Sequence, residues 1–417
     1  MQAKKIISKS RVGVGFIKEY GFLSFGIKSL TYLQKRKYKS IHRTSHKQKI
    51  SVKVKHRDVI SEPSNKKNKW ISSKNKNLEI NWIMPPPGKG SGGHLNIFRF
   101  IKYLEDSGHK NRIYLYADGG GNTPISVLKD IMGESYPKVS AEMKWLNNSG
   151  VMDNADIIFC TSWETAYASK SSTLKSKRFY FVQDYEPYFY PIGSLYSLAK
   201  NTYDFGFYGI TAGGWLSKKL KEDHGMKTAH YDFGADAKNY SLTNTGKRQE
   251  ILFYARPFTE RRGFEMGILA LEIFHKKHPE VTINFAGWDV SEYDIPFPYK
   301  NLRTLEVEEL REVYNRCVAG LLLSYTNMSL LPLELLACGT IPVVNEGENN
   351  SLVSNNPYIA YTKNTPQDLA NKLSEIISRK DIIKYSIKAS ESVKLSSWDE
   401  SGKRFVSIVE SEAKKNG

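Results

Sequence analysis

Three arginines fall in one short segment, where they could bind a phosphorylated ligand. Arg256, Arg261 and Arg262 lie between a predicted strand and a predicted helix. A guanidinium group donates paired hydrogen bonds to phosphate oxygens, and the N-terminus of the following helix adds a partial positive charge. We therefore predict that these side chains bind a diphosphate leaving group. The alternative is a solvated charge cluster paired with Glu260 and Glu265.

A glutamate inside a later helix is a second candidate. Glu334 lies in a predicted helix over residues 330–338, which follows a polar loop and stops at Gly339. A carboxylate there could accept hydrogen bonds from the paired hydroxyls of a ribose. The main-chain amides of residues 326–330, Ser329 among them, could face a diphosphate. The alternative is a solvated helix glutamate.

The first strand-to-helix turn of the chain is rich in glycine. Gly88, Gly90 and Gly93 form a G-x-G-x-x-G pattern, which indicates dinucleotide binding when it joins a strand to a helix. Three prolines lengthen the turn ahead of these glycines, whereas the dinucleotide fingerprint needs a tight turn. Such a loop can also bind a sugar hydroxyl or a phosphate. We therefore predict that Gly92, Gly93 and His94 form an acceptor-side loop, on the side of the site that binds the molecule receiving a transferred group. A flexible loop on the rim of a cleft is the alternative.

One aspartate stands at the predicted end of a strand, where parallel sheets bind their ligands. Asp184 could orient an acceptor hydroxyl or take its proton as a catalytic residue. Alternatively, it is a cap or turn residue ahead of Pro187. The chain has no Asp-x-Asp pair, so we expect neither a metal nor another cofactor. The arginines and loop amides would replace the metal electrostatically.

A repeating pattern of strands and helices must position these residues. Apolar segments alternate with segments of helical spacing in two series, which start near residues 78 and 250. This alternation is typical of parallel sheets with helices on both faces. It predicts two Rossmann-like, doubly wound α/β domains, over residues 78–235 and 236–396, that face each other across a ligand-binding cleft. The predicted strands cover residues 78–84, 111–117, 156–161, 178–183, 207–211, 250–255, 281–287, 318–324 and 341–345.

The N-terminal arm, residues 1–77, carries the whole charge excess. It holds 21 Lys and Arg against 3 Asp and Glu, which leaves 40 of each sign for the other residues. Within the arm, residues 12–39 combine helical apolar spacing with a basic flank, which is typical of a helix lying on an anionic membrane surface through residues 1–39. A helix packed on the protein's own body is the alternative. Residues 40–77 read as an extended linker, and no nucleic-acid reader motif is present.

The same sequence features predict the compartment. No apolar run reaches the length of a membrane-spanning helix, and the N-terminus lacks the pattern of a signal peptide. The three cysteines are too few and too scattered for a disulfide framework. We expect a cytoplasmic protein that is peripherally associated with the inner face of the cell membrane.

Two segments of the second series resemble the donor domain of retaining glycosyltransferases with the GT-B fold, of the family 4 type. They are the arginine-containing residues 256–263 and the segment Pro-x-Glu-x-x-Ala-Cys-Gly-x-x-Pro-Val-Val over residues 332–344. The first series, through Gly92-Gly93-His94 and Phe-Val-Gln-Asp-Tyr-Glu-Pro over residues 181–187, is similar to rhamnosyltransferases that build polyrhamnan and S-layer glycans.

The resemblance implies roles for individual residues. Arg256 and Arg262 match the basic pair on the donor diphosphate, and Arg261 is a substitute. Glu334 matches the second glutamate of a paired-glutamate motif, which holds the ribose. Thr326 stands where the first glutamate, which faces the donor sugar, is expected. The nucleobase is expected against three residues in two loops, namely Trp288, Leu302 and Arg303.

The resemblance also implies the reaction and its partners. It implies transfer of a 6-deoxyhexose, L-rhamnose from dTDP-L-rhamnose, onto a hydroxyl of a growing bacterial surface glycan, with retention of configuration. The acceptor would be lipid-linked. The protein could also form a homodimer. A C-terminal helix within residues 397–417 would cross back to the first domain. Two other functions stay open: a nucleotide-dependent oxidoreductase using the glycine loop, and a non-catalytic sugar-nucleotide binding protein, which Thr326 in place of glutamate would favour.

Overall fold

The computed structural model describes residues 52–60, 72–118, 121, 123–133, 135–394 and 396–415. The predicted membrane helix within residues 12–39 lies outside the described residues and stays a prediction. The described chain contains two parallel β-sheets, each covered by helices. The predicted pair of α/β domains is therefore confirmed.

The first sheet has seven strands, all paired in parallel. They are β1 (Glu79–Met84), β2 (Lys110–Leu115), β3 (Glu142–Trp145), β4 (Ile157–Cys160), β5 (Lys177–Val182), β6 (Tyr208–Ala212) and β7 (Thr228–Tyr231). Within the described residues, six helices precede or connect them: α1 (His56–Ile60), α2 (Gly92–Asp106), α3 (Ile125–Met132), α4 (Trp163–Ser171), α5 (Ser194–Asn201) and α6 (Gly214–His224). The strand order is β3-β2-β1-β4-β5-β6-β7. The central strands are buried along their length because helices cover both faces.

The second sheet has six parallel strands. They are β8 (Glu250–Tyr254), β9 (Thr282–Ala286), β10 (Lys300–Arg303), β11 (Cys317–Leu322), β12 (Ile341–Asn345) and β13 (Ala360–Thr362). Its helices are α7 (Phe264–Lys277), α8 (Val307–Arg316), α9 (Leu331–Ala337), α10 (Glu348–Ser351), α11 (Pro366–Ile377) and α12 (Ile382–Glu391). The order β10-β9-β8-β11-β12-β13 repeats that of the first sheet. In each sheet the order reverses beside the first strand, which is where such folds bind ligands, at the carboxyl ends of the strands.

The last helix, α13 (Trp398–Ala413), packs against the first sheet although it follows the second domain in the chain. Its apolar face carries Trp398, Phe405 and Val409, which are buried in the core of the first domain. The Phe405 ring centroid lies 4.4 Å from that of Phe100. Ser397 caps the helix by accepting a hydrogen bond from the Asp399 amide at 3.1 Å.

Residues 52–60 differ from the extended linker predicted for residues 40–77. Val54 is buried, and the Lys55 main-chain amide donates to the Tyr116 hydroxyl at 2.8 Å. The Lys55 ammonium group donates to the Leu146 carbonyl at 3.0 Å. The linker prediction is wrong for this stretch because a few apolar side chains anchor it to the first domain, and its overall polar composition conceals them.

Four strands were absent from the sequence prediction, namely β3, β7, β10 and β13. They are the four edge strands of the two sheets. Each is only three or four residues long and partly exposed. The strands that the sequence did predict lie inside the sheets, where burial on both faces requires a continuous apolar run.

Candidate functional site

The segment that joins β11 to α9, residues 324–329, lies at the carboxyl edge of the second sheet; we call it loop 324–329. Three asparagine side chains of the second domain hold it. The Asn345 amide group exchanges two hydrogen bonds with the Ser324 main chain, at 2.8 and 2.9 Å. The Asn349 side chain donates to the carbonyls of Ser324 at 3.0 Å and Thr326 at 2.6 Å. Asn350 donates to the Ser324 carbonyl at 3.2 Å. The loop is therefore fixed within its own domain.

Arg262 also holds loop 324–329 in place. Its guanidinium Nη1 donates to Ser324 Oγ at 2.7 Å and to the Asn327 carbonyl at 3.5 Å. Burial lowers the pKa of Arg262 from its usual value. Together with Ser329 and Met328, Arg262 lines a small cavity at this edge of the sheet. The structure thus brings together two of the residues predicted to bind a diphosphate, and it gives Arg262 a second function as an anchor of the loop.

Gly263 allows this close approach. The residue has φ +58°, and a Cβ at this position would lie 2.9 Å from Tyr325 Cε2 and 3.0 Å from Leu323 Cδ1. Only glycine combines this backbone conformation with the available space. Helix α7 can therefore begin directly against the loop, and the Tyr325 amide donates to the Arg261 carbonyl at 3.0 Å.

Arg261 points from the second domain to the first. Its Nε lies 3.5 Å from Asp184 Oδ2, and its guanidinium carbon lies 4.1 Å from the centroid of the Phe189 ring. The partner of Arg261 is thus a carboxylate of the first domain, and the alternative of a cluster paired with Glu260 and Glu265 does not describe this side chain.

Asp184 is the centre of the contact between the domains. Its Oδ1 accepts from the Asn327 amide at 2.9 Å and from the Tyr185 amide at 2.8 Å. Its Oδ2 accepts from the Thr326 hydroxyl at 2.9 Å. The side chain is only 12% exposed. Three predicted site residues, Asp184, Arg261 and Thr326, therefore meet in one network. The bond to Tyr185 also agrees with the alternative interpretation of Asp184 as a turn residue.

Asn327 belongs to this network and was missed by the sequence analysis. Its side-chain amide donates to the carbonyls of Gln183 at 3.1 Å and Ala212 at 2.9 Å, at the ends of β5 and β6. The Asn327 amide bonds Asp184, and the Met328 amide bonds the Asn349 carbonyl at 3.2 Å. Two of the loop amides expected to face a diphosphate are therefore already bonded within the protein. The sequence feature that could have identified Asn327 is its position next to Thr326.

Glu334 lies in the first turn of α9 and is partly buried. Burial, and to a smaller extent the nearby Asp236, raises the pKa of Glu334 to about 7, while Arg99 opposes the shift. Arg99 belongs to α2 of the first domain, where its guanidinium lies 3.8 Å from the Trp398 ring centroid and donates to Asn96 Oδ1 at 2.8 Å. Because Glu334 is only partly exposed, its environment is not that of a fully solvated helix residue.

Arg256 stays within the second domain. Its Nε donates to the Tyr254 hydroxyl at 2.8 Å, and its guanidinium carbon lies 5.1 Å from the centroid of that ring. The side chain is partly exposed at the end of β8. Arg256 is not part of the Asp184 network, so its predicted contact with a diphosphate does not compete with a contact between the domains.

The residues predicted near the nucleobase lie at the ends of β9 and β10. The Gly287 amide donates to the Arg303 carbonyl at 2.7 Å, which joins the two segments, and Leu302 packs against the core of the domain. Trp288 is 41% exposed, and its ring centroid lies 5.2 Å from that of Phe258, which is 75% exposed. Phe258, which the sequence analysis did not select, thus extends an exposed aromatic surface.

The glycine loop, residues 85–93 at the junction of β1 and α2, is more exposed than loop 324–329. Gly92 and Gly93 open helix α2 and are exposed. The Gly93 carbonyl accepts from Gln183 Nε2 at 3.0 Å. Both ring nitrogens of His94 are bonded within the loop, Nδ1 to Ser91 Oγ at 2.9 Å and Nε2 to the Pro85 carbonyl at 3.3 Å. Burial lowers the pKa of His94, which favours the neutral ring. The first domain thus presents main-chain groups of this loop, while the histidine supports the loop itself.

Two further findings concern metals and membranes. In the described part of the chain, no three His, Cys, Asp or Glu side chains are grouped so that they could hold a metal ion. None of the described helices is long and apolar enough to cross a membrane.

The sequence of the chain is similar to a protein family and to an O-antigen biosynthesis protein. Residues 249–374 match the model of a family described as WsaF, C-terminal domain. Over 328 residues the chain is 28% identical to the O-antigen biosynthesis protein RfbC of Myxococcus xanthus. The alignment covers 76% of this chain and 26% of that protein, so the chain spans about a quarter of the length of this relative.

Solved structures settle the architecture. Alr3699/HepE from Anabaena, in complex with UDP and glucose, aligns with a TM-score of 0.61 at 14% identity, over 80% of this chain and 100% of that one. An alpha-glucosyltransferase in complex with UDP and DNA aligns with a TM-score of 0.54 at 14% identity, over 81% and 100%. The fold is GT-B. The fold prediction, two Rossmann-like domains facing a cleft, is confirmed.

Proposed function

We propose that this protein is a glycosyltransferase that moves a sugar from a nucleoside diphosphate onto a hydroxyl of a surface glycan. The observation that carries the proposal is the arrangement at the edge of the second sheet, where Arg262 and Ser329 line one cavity beneath a loop that the first domain also binds. The similarity to an O-antigen biosynthesis protein and to the WsaF C-terminal domain supports the same class of reaction.

The second domain binds the donor in this proposal. Arg256 and Arg262, with the N-terminus of α7, stabilise the diphosphate. Ser329 offers a hydroxyl at the same cavity. Glu334 accepts hydrogen bonds from the ribose hydroxyls, and the exposed Trp288 provides a face for the nucleobase.

The reaction is a displacement at the anomeric carbon. The bond from this carbon to the diphosphate oxygen breaks and its electron pair leaves with the diphosphate. The acceptor oxygen forms the new bond on the face from which the diphosphate leaves, and its proton passes to the departing diphosphate oxygen. The arginines stabilise the charge that develops on the leaving group, which is the role a divalent metal would otherwise fill. We propose transfer without a metal and with retention of configuration, so addition of EDTA should leave the rate unchanged.

For the donor sugar we propose L-rhamnose from dTDP-L-rhamnose. The likeness of residues 181–187 to polyrhamnan-building enzymes supports this choice. Thr326 supports it as well, because its hydroxyl is bonded to Asp184 and offers no free carboxylate to a sugar. A 6-deoxy sugar has one hydroxyl fewer to be held. The acceptor in this proposal is a lipid-linked glycan, and the basic residues 1–39 bring the protein to the inner face of the membrane.

A panel of nucleotide sugars tests the proposal. Thermal shift and product detection by mass spectrometry are measured with dTDP-rhamnose, UDP-glucose, GDP-mannose and NADH. We expect stabilisation and glycan extension with dTDP-rhamnose, and loss of both in Arg256→Ala. Arg379→Ala is the matched control, because Arg379 pairs with Asp381 away from the cavity. Stabilisation by NADH with no response to any sugar nucleotide would contradict the proposal.

A further inference from the structure

We propose that Asp184 is a positioning residue that locks loop 324–329 against the first domain when the two domains close. This inference rests on the proposed function, because the loop borders the cavity assigned to the donor. It differs from the role expected from the sequence, in which Asp184 contacts the acceptor hydroxyl directly.

The geometry of the carboxylate supports this role. Both oxygens accept hydrogen bonds from loop 324–329, one from the Thr326 hydroxyl and one from the Asn327 amide, each at 2.9 Å. Oδ1 accepts a further bond from Tyr185, and the Arg261 guanidinium lies beside Oδ2. These hydrogen bonds occupy three of the four lone-pair positions of the carboxylate, and the Arg261 guanidinium lies beside the fourth, on Oδ2. The arrangement suits a structural clamp better than a base.

The clamp has a second attachment. The Asn327 side chain donates to two carbonyls of the first domain, those of Gln183 and Ala212, at 3.1 and 2.9 Å. The loop is therefore tied to the ends of two adjacent strands, β5 and β6, through both its main chain and its side chains. A shift of the first domain relative to the second would break all of these bonds together, so they hold the two domains in this arrangement.

The residue type at position 326 fits the same interpretation. A hydroxyl donates to the Asp184 carboxylate, whereas a glutamate there would place two carboxylates in contact and raise the energy of the closed form. The clamp therefore predicts that loop 324–329, which borders the cavity assigned to the donor, is bonded to the first domain only when the domains are closed. Closure then excludes water from the reacting centre.

Hydrogen exchange of the loop tests the clamp without depending on transfer activity. Thr326→Val keeps the shape of the side chain and removes the donor to Asp184. We expect the Asn327 amide, which bonds Asp184, to exchange about tenfold or more faster in this variant, since one of the two bonds between the loop and this carboxylate is lost. Thr340→Val is the matched control: Thr340 is buried and donates to the Cys317 carbonyl at 3.0 Å in the same domain, outside the loop. Unchanged exchange in Thr326→Val would overturn the clamp.

Kinetics separate a positioning role from a catalytic one. As a clamp, Asp184→Asn and Thr326→Val raise KM for the nucleotide sugar and raise hydrolysis relative to transfer, and the double variant is no worse than Asp184→Asn alone. The pH profile of kcat keeps its wild-type shape in Asp184→Asn. A loss of more than about 100-fold in kcat for Asp184→Asn, with Thr326→Val like wild type, would show a base and contradict the proposal. If no variant transfers sugar, the exchange experiment still decides the clamp, while the proposed function fails by itself.

Discussion

The glycine loop and loop 324–329 occupy similar places, since each joins a strand to a helix at the carboxyl edge of its sheet, yet they are built differently. A Cβ placed on Gly88, Gly90 or Gly92 would meet no heavy atom within 4 Å. In loop 324–329, by contrast, Thr326 and Asn327 are almost fully buried and bonded on several sides.

The difference concerns how ordered each loop is before a ligand binds. A dinucleotide fingerprint needs glycines because backbone and ligand approach closely, and the space beside Gly88, Gly90 and Gly92 is open. Loop 324–329 is already ordered, so less entropy is lost when a ligand binds beside it. We therefore keep the proposal that the donor binds the second domain, beside the ordered loop, with the glycine loop as an acceptor-side rim.

Replacement of Arg262 by alanine should have the largest effect. The change removes two hydrogen bonds of a partly buried guanidinium to the loop, together with the predicted contact to the diphosphate. Each bond to a charged group contributes about 1.5–3 kcal/mol, so we expect kcat/KM to fall by about 100-fold or more. Steady-state kinetics measure the change, and Gly92→Ala in the exposed glycine loop is the comparison. A larger loss in donor binding for Gly92→Ala would reverse the assignment of the two loops.

The next largest effect is a dependence of nucleotide affinity on pH, caused by the titration of Glu334. With its pKa raised to about 7, the carboxyl is protonated in mildly acidic solution, and a protonated carboxyl accepts ribose hydrogen bonds poorly. Nucleoside diphosphate affinity should therefore fall by up to about tenfold per pH unit below pH 7. Calorimetry with dTDP between pH 6 and 8 measures it. Glu334→Gln should remove this part of the dependence and leave only that of the nucleotide phosphate.

The same pKa shift has a consequence for stability. The folded pKa of Glu334 lies above that of an exposed glutamate, about 4.3, so the folded protein holds this proton more tightly than the unfolded chain. The contribution is complete below pH 4.3 and is lost as the pH rises through about 7. Wild type minus Glu334→Gln, compared by urea unfolding at pH 5 and pH 8, should show a difference of about 3 kcal/mol. An equal difference at both pH values would contradict the burial of this carboxyl.

A smaller effect is expected for the aromatic pair beside the predicted nucleobase site. Phe258→Ala removes an exposed ring that contacts Trp288 edge to face. Base stacking on an aromatic ring contributes about 1–3 kcal/mol, and the Trp288 face stays in place, so we expect about a fivefold weaker affinity for dTDP. Tryptophan fluorescence titration measures it. A change in acceptor KM without a change in nucleotide affinity would place these rings on the acceptor path.

The smallest effect is expected for an exposed contact between the domains. Lys89 of the glycine loop pairs with Glu306 at 3.0 Å, and both side chains are mostly exposed. Exposed ion pairs contribute about 0–1 kcal/mol, so Lys89→Ala should change kcat/KM by less than about threefold. Comparison with Thr326→Val distinguishes the buried contacts of the clamp from a surface contact. If Lys89→Ala lowered kcat/KM as much as Thr326→Val does, closure would depend on this exposed ion pair instead.

The sequence predicted the central strands and the general place of the site, and it failed in two physical situations. Edge strands such as β10 are short and partly exposed, so they carry no continuous apolar run. The pairing of Asp184 with Thr326 and Asn327 joins residues more than 140 positions apart, and local spacing holds no information about it. By contrast, Arg262 and Ser329 could be expected at one cavity, because each follows the carboxyl end of a strand in the same parallel sheet.

Hydrogen exchange with and without dTDP tests the central claim most directly. If the donor binds the second domain, dTDP should protect residues 254–263 and 324–334 and leave residues 85–93 unchanged. Protection confined to residues 85–93 would contradict the assignment and place the nucleotide on the glycine loop.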